Sequence, residues 1–126
     1  MRKNIYLTKA ELLEDSLLLH SSEKSSEQNL QPAGQVIVDS ENYSFVYLAE
    51  SDDDYVLLHI QEGCWPALKE GIKQNIKVVA DLGETSFELE GLYHELDFLI
   101  ENIEGNSNYG DEMVEKVESI FLEKAE

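Results

Sequence analysis

The 126-residue chain has one cysteine, Cys64, and two prolines. A single thiol cannot close an internal disulfide, which fits a reducing compartment. Cations are scarce: 9 Lys and Arg stand against 27 Asp and Glu, a formal net charge of −18. That deficit excludes direct nucleic-acid binding, which rests on replacing phosphate counterions with basic side chains. It opposes an anionic membrane surface for the same reason. No apolar run approaches the ~20 residues of a membrane span. The basic opening Arg2-Lys3-Asn4-Ile5 is followed by no apolar segment of signal-peptide length. A soluble cytoplasmic protein is expected.

Catalytic and metal signatures are equally thin. Three histidines (His20, His59, His94) accompany the one cysteine, too few for a Cys/His structural zinc site. His94-Glu95-Leu96-Asp97-Phe98 opens like the zinc-protease motif H-E-x-x-H, but Phe98 occupies the position of the second histidine, which must follow one turn later. Asp52-Asp53-Asp54 runs into Tyr55-Val56-Leu57 instead of the glycine and closing glutamate of a calcium loop, so it reads as a hairpin turn. No glycine-rich phosphate loop and no G-x-S-x-G elbow occurs. Cys64 is the one candidate nucleophile, because a helix N-terminus lowers a thiol pKa. The competing reading is a small buried cysteine packed beside Trp65, since no base lies nearby in sequence. No cofactor and no metal are expected.

What the chain does have is core-forming material: 42% of its residues are hydrophobic, enough for one domain over residues 1–126. Residues 1–90 read as strand-rich. Ile5–Leu7, Leu17–Leu19 and Val36–Val38 are short β-type runs, and Tyr43–Ile60 reads as a hairpin with Tyr43, Phe45 and Tyr47 on one strand face. Gly63-Cys64-Trp65-Pro66 opens a helix near 64–74, with proline at a favoured first-turn position. Ile76–Leu82 and Phe87–Leu89 follow as strands about a Gly83-Glu84-Thr85 turn. Residues 21–34 are polar and Ser-rich and read as a mobile loop.

Residues 91–124 carry two helical stripes. Leu92, Leu96, Leu99, Ile100 and Ile103 form the first, closed by Gly105 as a left-handed C-cap. Met113, Val114, Val117, Ile120 and Phe121 form the second, with Asn108 or Asp111 as its N-cap and Glu112–Lys116 as an i, i+4 pair. The short connection predicts an antiparallel helical hairpin. The fold class expected is α+β, a mainly antiparallel sheet with one additional helix between strands and the hairpin at the C-terminus.

Two functional readings follow. Charge is concentrated late in the chain: residues 84–126 hold 13 acids and 2 bases. Glu95, Asp97, Glu101, Glu104, Glu112, Glu115 and Glu118 then form a candidate interaction surface for a basic protein partner, acting without catalysis. The plainer account of the same residues is a solubilising helix face. The alternative function is a small-molecule binder or enzyme with a pocket between sheet and helices, lined by Tyr43, Phe45, Tyr47, His59, Cys64 and Trp65.

Three segments carry a resemblance: Gly34 to Tyr47 (GQVIVDSENYSFVY), the Cys64-Trp65 pair, and Glu101 to Gly110 (ENIEGNSNYG). On these the chain resembles the YjbL-like family of small acidic uncharacterised proteins from Bacillus-type bacteria and staphylococci. The resemblance implies a bacterial cytoplasmic protein and carries over no activity, cofactor or catalytic residue.

Overall fold

The computed structural model describes residues 2–25, 29–52 and 54–122. β1 (Arg2–Leu12) and β2 (Ser16–Ser25) form an antiparallel hairpin, its tight turn closed where Leu13 N donates to Ser16 O at 2.8 Å. β3 (Gln31–Asp39), β4 (Ser44–Ser51) and β5 (Asp54–Gln61) make an antiparallel meander. A 3₁₀ turn (Glu62–Cys64) feeds α1 (Trp65–Gln74), with Pro66 in its first turn. β6 (Lys77–Gly83) and β7 (Ser86–Glu88) form a second hairpin. α2 (Leu92–Ile103) and α3 (Asp111–Phe121) follow. One seven-stranded sheet results, in the order β3-β4-β5-β1-β2-β6-β7.

The α+β class is observed, but the sheet is mixed, not mainly antiparallel. β1 pairs with β5 in parallel from Arg2/Tyr55 to Leu7/Ile60, and β2 pairs with β6 in parallel from Ser16/Lys77 to His20/Asp81. The first hairpin sits mid-sheet and later strands join both its sides. A parallel pair needs a long crossover instead of a tight turn, so no local residue pattern announces it. The C-terminal helices do not pack on each other alone: α3 lies against α1 as well as α2. Of the segment read as a loop, Ser21–Ser25 belongs to β2 and Gln31–Gly34 to β3, while residues 26–28 lie outside the described ones.

Alternation along the strands separates two faces. One face carries Ile5, Leu7, Leu17, Leu19, Val36, Phe45, Tyr47, Val56, Leu58, Ile60, Val78, Ala80 and Leu82, all buried against Trp65, Leu68, Leu92, Leu96, Ile100, Ile103, Met113 and Val117 of the helices. Among the described residues no helix lies on the other face, which leaves Tyr6, Ile37 and Tyr55 exposed. Gly105 follows α2 in the left-handed region, as expected. Gly110, with no side-chain cap, precedes α3 in place of the expected Asn108 or Asp111. Asn106 instead caps the linking 3₁₀ turn (Ser107–Tyr109) by accepting from Asn108 N.

Candidate functional site

The residues singled out for a pocket between sheet and helices fall in three different environments. Phe45 and Tyr47 point from β4 into the core, and the rings of Phe45, Trp65 and Phe121 pack together with centroids 5.0, 5.7 and 5.9 Å apart. Trp65 Nε1 donates to Ile60 O at 3.2 Å, and Tyr47 donates its hydroxyl proton to Glu90 O at 2.6 Å. Burial, with Glu90 and Glu88 nearby, pushes the Tyr47 pKa up to about 12. Cys64 is fully buried, and its thiol donates to Leu7 O at 3.4 Å. Burial pushes that thiol up to about 11, the opposite of an activated nucleophile.

Tyr43 stands apart from them, in the β3–β4 turn, with a left-handed φ of 50° that a bulky residue seldom adopts. Its hydroxyl donates to Glu112 Oε2 at 2.8 Å, and Lys116 Nζ lies 4.9 Å from its ring centroid. The bond to Glu112 is the foremost cause of a raised Tyr43 pKa. Lys116 also bonds Glu62 Oε2 at 3.1 Å, which raises its pKa. The i, i+4 pair expected between Glu112 and Lys116 is thus divided: each side chain reaches across to another element.

The acidic set lies on the outer side of the helices. Asp97, Glu101, Glu104, Glu112 and Glu115 are exposed, and Glu95 and Glu118 half-buried. Asp97 and Glu101 edge a groove of about 400 Å³ floored by Ile72, Ile100, Phe121 and Leu122, with Lys69 and Lys73 of α1 opposite. Glu115 and Glu118 join Asp111 around a second groove of about 340 Å³, over Val114 and beside Gly105. Glu118 Oε2 accepts from Gly105 N at 2.8 Å, tying α3 to the end of α2.

His59 faces the other way, onto the helix-free side of the sheet. The pairings Ile37/Val46, Val46/His59 and Tyr6/His59 place these residues in one row across four strands. The Tyr6 ring stacks on the imidazole at 4.6 Å with a 25° interplanar angle. His59 Nε2 donates to Asn4 Oδ1 at 2.8 Å, which sets the tautomer and leaves Nδ1 as an acceptor. Burial holds the imidazole pKa below its usual value, opposed in part by Asp39. Beside this row opens a cavity of about 360 Å³ lined by Tyr6, Thr8, Asn42, Ser44, His59, Gln61, Glu62 and Gly63. Of these eight, only His59 stands out in the sequence. The rest are scattered over β1, the β3–β4 turn, β4, β5 and the 3₁₀ turn, and the parallel β1–β5 pairing that brings Tyr6 and Thr8 to the others has no local signal.

Other motifs resolve simply. His94 meets Phe98 edge-on at 5.1 Å, confirming that a ring occupies the second-ligand position. His20 bridges Asp81 and Glu11, each at 3.0 Å. Among the described residues no group of three or more His, Cys, Asp or Glu is placed to hold a metal ion, and no helix is long and apolar enough to cross a membrane. Asp53 lies outside the described residues.

Residues 5–121 match a family described as a family of unknown function, UPF0738. The UPF0738 protein YjbL of Bacillus subtilis is 42% identical over 122 residues, covering 97% of this chain and all of that protein. A UPF0738 protein of Bacillus velezensis is 44% identical with the same coverage, and one of Bacillus cereus is 35% identical over 123 residues, again 97% of this chain and all of the relative. The chain belongs to the UPF0738 family. The resemblance read from the Gly34–Tyr47 and Glu101–Gly110 segments is therefore confirmed over nearly the whole length. No solved structure matches the chain.

Proposed function

We propose that this UPF0738 protein acts without chemistry of its own, in the bacterial cytoplasm, by presenting the acidic outer side of α2 and α3 to a basic protein surface. The observation that carries this reading is the position of Lys116. It is the single cation on α2 and α3, and it turns away from the carboxylates of its own helix to bond Glu62. Asp97 and Glu101 on α2, across one groove from Lys69 and Lys73 of α1, and Asp111, Glu115 and Glu118 on α3 around a second, carboxylate-only groove, then border apolar floors. Such a border suits Arg or Lys side chains whose stems lie along the groove. The buried, unactivated Cys64 supports the non-catalytic half of the reading.

Affinity capture from a Bacillus-type host, comparing wild type with a Glu101/Glu104/Glu115/Glu118→Gln variant, tests it. The glutamine of Glu118→Gln keeps an oxygen for Gly105 N. Partners should elute as ionic strength rises, since exposed charge pairs are screened over roughly 8 Å at physiological salt, and the variant should lose them. Partners held equally by both proteins, or unmoved by high salt, would refute the proposal.

A further inference from the structure

We infer that the cavity beside His59 on the helix-free sheet face is a binding site for a small, uncharged, hydroxyl-rich molecule of monosaccharide type. Its place in the fold is the first argument. β1 and β5 run parallel there, and the cavity lies where β5 ends and enters the 3₁₀ turn, with Gln61, Glu62 and Gly63 in its wall. Ligands favour the crevice beyond the carboxyl ends of parallel strands. The β1–β2 register shifts between Leu7 and Lys9, and a bulge at that point re-aims side chains beside a site. Thr8, inside the irregularity, lines the cavity. On the far wall the left-handed Tyr43 separates two lining residues, Asn42 and Ser44. Strained backbone of this kind clusters at ligand sites.

The lining chemistry selects the ligand class. Tyr6, Thr8 and Ser44 contribute hydroxyls, and Asn42 and Gln61 amides. Each can both donate and accept, as a sugar hydroxyl does. His59 adds an acceptor, because Nε2 is committed to Asn4. Among the described residues no Lys or Arg lines the cavity, so a phosphate or carboxylate finds no counter-charge in its wall. The one lining carboxylate, Glu62, is already joined to Lys116, which disfavours an amine. Tyr6 stacks one ring face on His59 and is 43% exposed, leaving an aromatic surface for the C–H face of a sugar ring. The volume of about 360 Å³ suits one ring, at the low end of the roughly 300–1,000 Å³ of small-molecule pockets.

The test is titration of the full chain, followed by backbone amide and His ring resonances, with glucose, ribose and myo-inositol as probes. Inorganic phosphate and methylammonium are the charged controls. Saturable shifts at Tyr6, Thr8, Ser44 and His59 with at least one neutral probe are expected. Affinity should fall about tenfold in Tyr6→Ala, as for loss of about 1.4 kcal/mol of contact, and fall also in His59→Gln, whose amide can still bond Asn4. Should Tyr6→Ala not fold, His59→Gln carries the comparison alone. No saturable shift with any neutral probe, equal affinity in the variants, or preferential binding of phosphate or methylammonium would each overturn the inference.

Discussion

Tyr93 on α2 buries its hydroxyl with no hydrogen-bond partner among the described residues, and burial pushes its pKa up to about 12. The oxygen lies against α1, where a Cβ added to Gly71 would come within 2.5 Å of it and within 3.2 Å of Leu17 Cδ2. A buried polar group left without a partner costs about 1–3 kcal/mol. Tyr93→Phe keeps the ring and removes the oxygen, so it should stabilise the protein by about that amount, and Tm should rise by about 4 °C per kcal/mol for a chain of this size. Gly71→Ala drives a methyl into the hydroxyl and should destabilise the wild type, since overpacking costs about 1–3 kcal/mol against a helix-propensity gain of about 1 kcal/mol. With Phe at 93, the nearest ring carbon is Cζ at 3.5 Å from the new Cβ, an ordinary contact. The Gly71→Ala penalty should then shrink, a coupling of about 1–2 kcal/mol between touching residues. Urea denaturation of the four proteins in this cycle measures it. A Tyr93→Phe protein less stable than wild type, or a Gly71→Ala cost equal in both backgrounds, would refute the reasoning.

Two further outcomes follow from the titrating groups. The Cys64 thiol, pushed up to about 11 from 9.0 by burial, should resist labelling in the native protein at neutral pH and react only as fast as the chain unfolds. Because its folded pKa exceeds the unfolded one, its stabilisation is full below pH 9.0 and is lost as pH rises through about 11, a decline that Cys64→Ala should lack; rapid stoichiometric native labelling would contradict both. His59 behaves in the opposite sense: burial lowers its folded pKa below 6.5, so the unfolded chain takes up the proton first and stability falls as pH drops below 6.5. As pH falls from neutral to mildly acidic, the denaturation midpoint of wild type should drop relative to that of His59→Gln, and a constant gap would count against it.

Much of the local structure was legible in short segments. The Tyr43–Ile60 hairpin, the helix opened by Pro66, the Gly83-Glu84-Thr85 turn and the two C-terminal apolar stripes all appear where periodicity and turn residues place them. Tyr43 shows how the same reasoning stops short. Period-two alternation groups it with Phe45 and Tyr47, yet it belongs to the turn and packs on α3 through Glu112 and Lys116. The polar segment at 21–34 likewise misleads. Pairing with neighbouring strands extends β2 and β3 into it, because ladder hydrogen bonds form whatever the side chain.

By itself, then, the sequence determined the three helices, the centres of the strands and most turns, the surplus of carboxylates on the late helices and the family to which the chain belongs, since each of these is written in near neighbours or in overall identity. Tertiary structure alone decided that β5 and β6 join β1 and β2 in parallel, that Cys64 turns inward beside Trp65 and away from solvent, and that Tyr6 meets His59 across 52 intervening positions. Those outcomes depend on how whole strands dock, and the energy that selects among dockings is spread over the buried core and is carried by no single motif.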